Sequence, residues 1–244
     1  VKTGEYLNTF MGHNGLVNSV ITTFDGKYII SGSSDKTIKI WDIKTGECLN
    51  TFEGHNDRVS SVTITRDGKY IISGSYDYTI KIWDIKTGEC LNTLKKSYSS
   101  GVNSVAIAHY GKYIISASKD SLIKIWNIKT GKYLNTFKGH NDSVTSVTIT
   151  PDSKYIVSGS YDNTIKIWDI KTGKCINTLK GHSRHVEIVK LTSNGKKIVS
   201  GSDDNTIMIW DIKTGECLSI LNVHADDTSS ISITTDDKYI VLGS

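Results

Sequence analysis

The sequence has a single proline and no apolar run near the ~20 residues of a membrane-spanning helix, which excludes proline-rich linkers, collagen and a helical membrane anchor. It also has no large excess of one charge. Lys+Arg 29 against Asp+Glu 25 gives +4, spread along the chain, too little to mark a nucleic-acid or membrane partner. It has no C-x-x-C, no G-x-x-x-x-G-K-[ST], no G-x-G-x-x-G after a strand and no G-x-S-x-G, so zinc-ribbon, thioredoxin, nucleotide-site and hydrolase signatures are all missing. What remains, 37% hydrophobic and 22% charged over 244 residues, suits a soluble globular chain able to bury a sizeable core.

The four cysteines point to repetition. Cys48, Cys90, Cys175 and Cys217 all stand in the phrase T-G-[EK]-C-[LI], with Tyr6 and Tyr133 in the same slot elsewhere. One recurring small-hydrophobe position explains them better than a disulfide framework, so free, mostly buried thiols in a reducing cytosol are expected, with a cytoplasmic location. The missing signal peptide carries no weight, because the chain opens at Val1 in the middle of a phrase.

Trp41, Trp83, Trp126, Trp168 and Trp210 are separated by 42, 43, 42 and 42 residues. One period, Gly12 to Thr51, divides into four β-prone runs, VNSVITT, KYIISGS, TIKIWDI and ECLNTF, separated by turn residues. Four strands of about six residues and four connections of about four account for such a period. A helix is excluded, because Thr37-Ile38-Lys39-Ile40-Trp41 alternates with period two and is rich in β-branched residues.

Gly-His near the start, S-G-S before an Asp, and T-I-K-I-W-D together resemble the WD40-repeat family, in register over nearly the whole chain. The resemblance implies an all-β fold, a β-propeller of four-stranded antiparallel blades. We expect five largely complete repeats, approximately 12–53, 54–95, 96–138, 139–180 and 181–222, with 223–244 and 1–11 contributing to a partial sixth within one domain, 1–244. In the family both chain ends usually share one blade, so Glu5 to Phe10 is expected as the fourth strand of a blade begun by residues 226 to 244. Residues 203 to 211 have no sixth counterpart, so closure would be incomplete and the chain reads as part of a larger protein.

Each good repeat carries His, Ser, Asp and Trp: His13, Ser31, Asp35, Trp41; His55, Ser73, Asp77, Trp83; His140, Ser158, Asp162, Trp168; His182, Ser200, Asp204, Trp210. His with Ser and Asp is also the chemistry of acyl transfer, but an enzyme needs one such site with a pocket and an oxyanion hole, and four copies argue for architecture. The resemblance implies a buried chain of hydrogen bonds running from carboxylate through imidazole and hydroxyl to indole. The third repeat keeps Ser116, Asp120 and Trp126, has Ser97-Tyr98 for Gly-His and Asn127 for the Asp after Trp, and holds the extra residue, so a distorted loop is expected before it. The last, partial repeat has Val223-His224 and Leu242 in the serine slot and is expected to form no quartet.

If the strands run as the family's do, Gly-His loops and Asp turns share a top face and the D-G-K and K-T-G turns share a bottom one. Bottom lysines such as Lys27, Lys69 and Lys154 are interleaved with Asp25, Asp67 and Asp152, which makes a solvated face rather than a phosphate-binding one. Family contact positions flank the first strand and precede the quartet Asp. They map to Leu16 and Asn18, Arg58 and Ser60, Gly101 and Asn103, Ser143 and Thr145, His185 and Glu187, Asp227 and Ser229, and to Ser34, Tyr76, Lys119, Tyr161 and Asp203. Arg58, Tyr76, Tyr78 and Tyr161 are residue types enriched in interface hot spots, and with Lys119, His185, Glu187 and Asp203 they form the expected partner-binding set.

Neither His182-Ser183-Arg184-His185 nor Asp226-Asp227 and Asp236-Asp237 offers enough ligands at suitable spacing, so no metal and no cofactor are expected. The expected function is a non-catalytic scaffold for a protein or peptide ligand. The alternatives are a hydrolase-type propeller acting at the channel mouth, for which only His109 and His185 stand outside the repeat pattern, and a nucleic-acid module, which the mixed charge disfavours.

Overall fold

The computed structural model describes residues 8–95, 100–108, 111–223 and 230–243. The chain divides into two compact units, Val1–Lys95 and Lys96–Ser244. The first unit holds two four-stranded antiparallel sheets: β1 Val17–Thr22, β2 Tyr28–Ser33, β3 Ile38–Asp42 and β4 Cys48–Phe52, then β5 Val59–Ile64, β6 Tyr70–Ser75, β7 Ile80–Asp84 and β8 Cys90–Leu94. The second holds three more, β9 Val102–Ile107 to β12 Tyr133–Phe137, β13 Val144–Ile149 to β16 Cys175–Lys180, and β17 Val186–Leu191 to β20 Cys217–Asn222, and a two-stranded sheet of β21 Ser230–Ile233 and β22 Ile240–Gly243. Each full sheet is an in-order meander, and among the described residues no helix is long and apolar enough to cross a membrane.

Composition dictates the layering. The second and third strands read I-I-S-G-S and I-K-I-W-D, and their register sets Ile30 opposite Ile40 and Ile29 opposite Trp41. In the first unit Ile30, Ile38, Ile40 and Phe52 of one sheet pack on Val59, Val62, Ile64, Ile71 and Trp83 of the next. In the second, Val157, Ile165, Ile167 and Leu179 pack on Val186, Val189, Ile198 and Trp210 in the same way. Gly32 and Gly159 make the close approach possible, since a Cβ on either would lie 2.7 Å from a valine methyl of the next sheet.

Two expectations are corrected. Cys48, Cys90, Cys175 and Cys217 are free but exposed rather than buried. Each begins the fourth strand, the outer edge of its sheet, and in the first four sheets only the far end of that strand is covered, at Phe52, Leu94, Phe137 and Leu179. Asn8, Thr9 and Phe10, expected to end a fourth strand, form none, and β21–β22 has no third strand in the described residues for such a strand to bond. Phe10 nevertheless meets Trp41 edge-on at 6.0 Å, as Phe52 meets Trp83 at 5.8 Å. Glu5, Tyr6, Ser97, Tyr98, His109, His224, Asp226, Asp227 and Ser229 lie outside the described residues.

Candidate functional site

Pairing of β2 with β3 sets Ser31 opposite Lys39 and Trp41 opposite Ile29, so the indole lies one diagonal step from the hydroxyl. The segment before β1 delivers His13, and the β2–β3 hairpin delivers Asp35. In four sheets the result is the same chain of contacts. His Nδ1 lies 2.7–2.9 Å from an Asp Oδ2 (His13–Asp35, His55–Asp77, His140–Asp162, His182–Asp204). His Nε2 lies 2.7–2.8 Å from Ser31, Ser73, Ser158 or Ser200 Oγ. The indole N–H of Trp41, Trp83, Trp168 or Trp210 donates to that same oxygen at 2.7–2.9 Å.

The directions of these bonds follow from what each group can do. Indole only donates and carboxylate only accepts, so Nδ1 carries the imidazole proton, Nε2 accepts from the serine hydroxyl, and the hydroxyl accepts from the indole. Each carboxylate also accepts from a threonine missed in the sequence: Thr37, Thr79, Thr164 or Thr206 Oγ1 at 2.6–2.7 Å. Its signal was the fixed position two residues after every quartet Asp but Asp120. A third donor is the backbone N–H of Asn14, Asn56, Asn141 or Ser183 at 2.9–3.0 Å.

Burial opposes ionisation of Asp35, Asp77, Asp162 and Asp204, but the converging hydrogen bonds from histidine, threonine and backbone outweigh it and hold all four carboxyls below the ordinary range. For His182 burial wins over the attraction of Asp204 and lowers the imidazole pKa, which favours the neutral ring. The serine hydroxyls are 0–3% exposed. A polar cavity of about 540 Å³ lined by Asn141, Asp162, Thr164, Lys166 and His182 reaches none of them. An apolar cleft of about 610 Å³ in the first unit, with Phe24, Tyr28, Leu49, Arg66 and Ile85 in its walls, includes no quartet residue.

The third repeat solves the same problem differently. Trp126 donates to Ser116 at 3.0 Å, but Asp120 accepts from Ser118 and lies 3.4 Å from the ammonium of Lys124. In three other sheets the corresponding lysines, Lys39, Lys81 and Lys166, reach outward to threonine hydroxyls at 2.8–2.9 Å. Lys124 is 4% exposed and stands beside the carboxylate as its cation. Leu122 also replaces the threonine here.

The expected partner-binding residues fall where the hairpins begin and end. In each full sheet a backbone bond of 2.8–3.1 Å joins the residue before the first strand to the one after the second: Leu16 with Ser34, Arg58 with Tyr76, Gly101 with Lys119, Ser143 with Tyr161, and His185 with Asp203. The Arg58 guanidinium lies 3.7 Å over the Tyr76 ring. Tyr161 stacks on His185 at 4.2 Å with 14° between the rings, and His185 Nδ1 is 3.7 Å from Asp203. Glu187 joins this last pair. Tyr78 is half exposed at φ 67°, a left-handed position that Asn163 and Asn205 fill in other sheets.

Buried polar quartets repeated in antiparallel four-stranded sheets define a repeat scaffold. The family described as WD40: WD domain, G-beta repeat, matches residues 4–42, 46–84, 88–127, 131–169 and 173–211, and the chain belongs to it. The match phases the second to fifth repeats from the fourth strand of the preceding sheet. Among curated proteins it is similar to the Periodic tryptophan protein 2 homolog of Schizosaccharomyces pombe, 49% identical over 43 residues, 18% of this chain and 5% of that protein. The Ribosome biogenesis protein BOP1 homolog of Drosophila grimshawi is 56% identical over 34 residues, 14% of this chain and 4% of that protein. The Small ribosomal subunit protein RACK1 of Caenorhabditis elegans is 40% identical over 40 residues, 16% of this chain and 12% of its own length. Each match is about one repeat long.

Proposed function

We propose that the chain is a non-catalytic protein-interaction module whose partner contacts Arg58, Tyr76, Tyr78, Lys119, Tyr161, His185, Glu187 and Asp203. The supporting observation is the constant backbone bond before and after the first hairpin, which in five sheets carries five different side-chain pairs. A scaffold needs the shared bond and a partner reads the differing side chains. Tyr78 adds weight: a bulky residue held at φ 67° costs about 1 kcal/mol that asparagine would largely avoid. Buried serine hydroxyls, each already accepting from an indole and facing an imidazole, are not placed to attack a substrate, which weighs against the hydrolase reading. Four free, exposed thiols suit a reducing compartment, so we place the module in the cytosol. The names of two matched relatives concern ribosome biogenesis and the small ribosomal subunit, and one repeat of likeness transfers the repeat rather than those assemblies.

Affinity capture from a cell lysate with the native chain and with an Arg58→Glu, Tyr76→Ala, Tyr161→Ala variant tests this. Loss of specific bound proteins from the variant is expected, and equal recovery of every bound protein overturns the assignment. A serine-reactive probe that labels Ser73 or Ser158 in folded protein would overturn the non-catalytic reading.

A further inference from the structure

We propose that His185, Glu187 and Asp203 form a binding site for a zinc ion. One nitrogen and two carboxylate oxygens, one from each residue, all lie within 4.8 Å of one another. His185 and Asp203 are cross-strand neighbours joined by a backbone bond of 3.1 Å, so the fold itself brings their side chains together. The register of β17 with the next strand, Lys197–Ser202, slips between Val186 and Ile188, leaving Glu187 as the extra residue of a bulge beside them. Spacing along the sequence hides this trio, since its members meet only when the hairpin forms.

Ligand chemistry selects the ion. Calcium and magnesium favour all-oxygen shells, whereas an imidazole with carboxylates suits zinc. Two ligands each about 2.1 Å from a tetrahedral zinc stand about 3.4 Å apart. The 3.7 Å between His185 Nδ1 and Asp203 Oδ2 is within a few tenths of an ångström of that, and a Glu187 carboxylate oxygen lies within 4.8 Å of both. Tyr161 stacks flat on the imidazole at 4.2 Å and restricts its orientation. A three-ligand site of this kind leaves a fourth position for water. None of the other four full sheets has a histidine or a carboxylate at any of the three corresponding positions, so the site is peculiar to this one. The proposal does not depend on the partner-binding reading above.

Zinc chloride titrated calorimetrically into the chain, with its four thiols alkylated so that they do not compete, tests the site. Saturable binding of one zinc per chain is expected, weakened about tenfold or more by His185→Ala and by Asp203→Asn and unchanged by the neighbouring Arg184→Ala. Cobalt bound in its place should give visible absorption bands that the same two variants lose, while tryptophan fluorescence confirms that both variants are folded. Absence of saturable binding overturns the proposal, and so does binding of equal strength in all three variants.

Discussion

Asp203 and Asp204 are adjacent and equally charged, yet removing their carboxylates should have very different effects. Asp204 accepts from His182 Nδ1 at 2.9 Å, Ser183 N at 2.9 Å, Thr206 N at 3.0 Å and Thr206 Oγ1 at 2.6 Å. In Asp204→Ala the His182 side chain, 0% exposed, loses its carboxylate acceptor and keeps only the longer contact of Nδ1 with Thr206 Oγ1 at 3.2 Å. That loss costs about 1–3 kcal/mol, and with the three partly solvated donors the total is about 2–4 kcal/mol. At about 2–4 °C per kcal/mol for a chain of this size, the melting temperature should fall by about 5–15 °C. Asp203, whose side chain is 29% exposed, makes no comparable convergence, and Asp203→Ala should stay within about 0.5 kcal/mol of native. Calorimetric melting of both variants in EDTA makes the comparison with the charge change held equal. Asp204→Asn should not rescue, because its amide turns N–H groups toward donors where an acceptor is needed. Equal melting shifts in the two alanine variants would refute the reasoning.

Lys124→Met should cost about 3–5 kcal/mol by stranding the buried Asp120 carboxylate, while Lys81→Met, whose ammonium donates to Thr93 and lies 5.9 Å over the Trp83 ring but pairs with no carboxylate, should cost far less; a similar loss in both urea-unfolding curves would contradict the Lys124–Asp120 pairing. Tyr78→Asn should raise stability by about 1 kcal/mol by relieving the left-handed tyrosine, yet reduce partner capture. A variant more stable and fully competent in capture would remove Tyr78 from the contact surface. Acid should destabilise the fold throughout. Asp35, Asp77, Asp162 and Asp204 have lowered folded pKa values, so their contribution is full above about pH 3.9 and is lost as pH falls through the folded values. His182, also lowered, acts in the same sense from about pH 6.5 downward, because the unfolded chain takes up a proton that the folded ring refuses. Denaturant midpoints that rise between pH 7 and 4 would contradict the histidine contribution, and midpoints that hold level or rise below pH 4 would contradict that of the carboxylates.

The period of the tryptophans and the alternation within each repeat were enough to place the strands, because β-branched runs cut by glycine and aspartate leave a pleated sheet as the only way to bury one face. The full quartets were readable for a similar reason: each recurs at fixed offsets that the strand register converts into contact. The solvent exposure of Cys48 and its counterparts was not readable, because the sequence shows that a position recurs but not which edge of a sheet it occupies. Lys124 was hidden as well. Its tetrapeptide, Ile-Lys-Ile-Trp, is the same as in intact repeats, and only the loss of a histidine far along the chain changes what its ammonium does. Stacking of Tyr161 on His185 and the gathering of Glu187 and Asp203 depend on side-chain directions at a bulge, which no residue pattern encodes.

The Lys124–Asp120 contact has a wider implication for how such a chain tolerates change. An acid fixed inside a hairpin demands an answering group, and when the usual one is missing a long flexible neighbour swings across to meet it. Copies of the motif are therefore held to a rule of compensation rather than to one cast of residues, and a variant that looks conservative at one site is safe only if its distant respondent is still there.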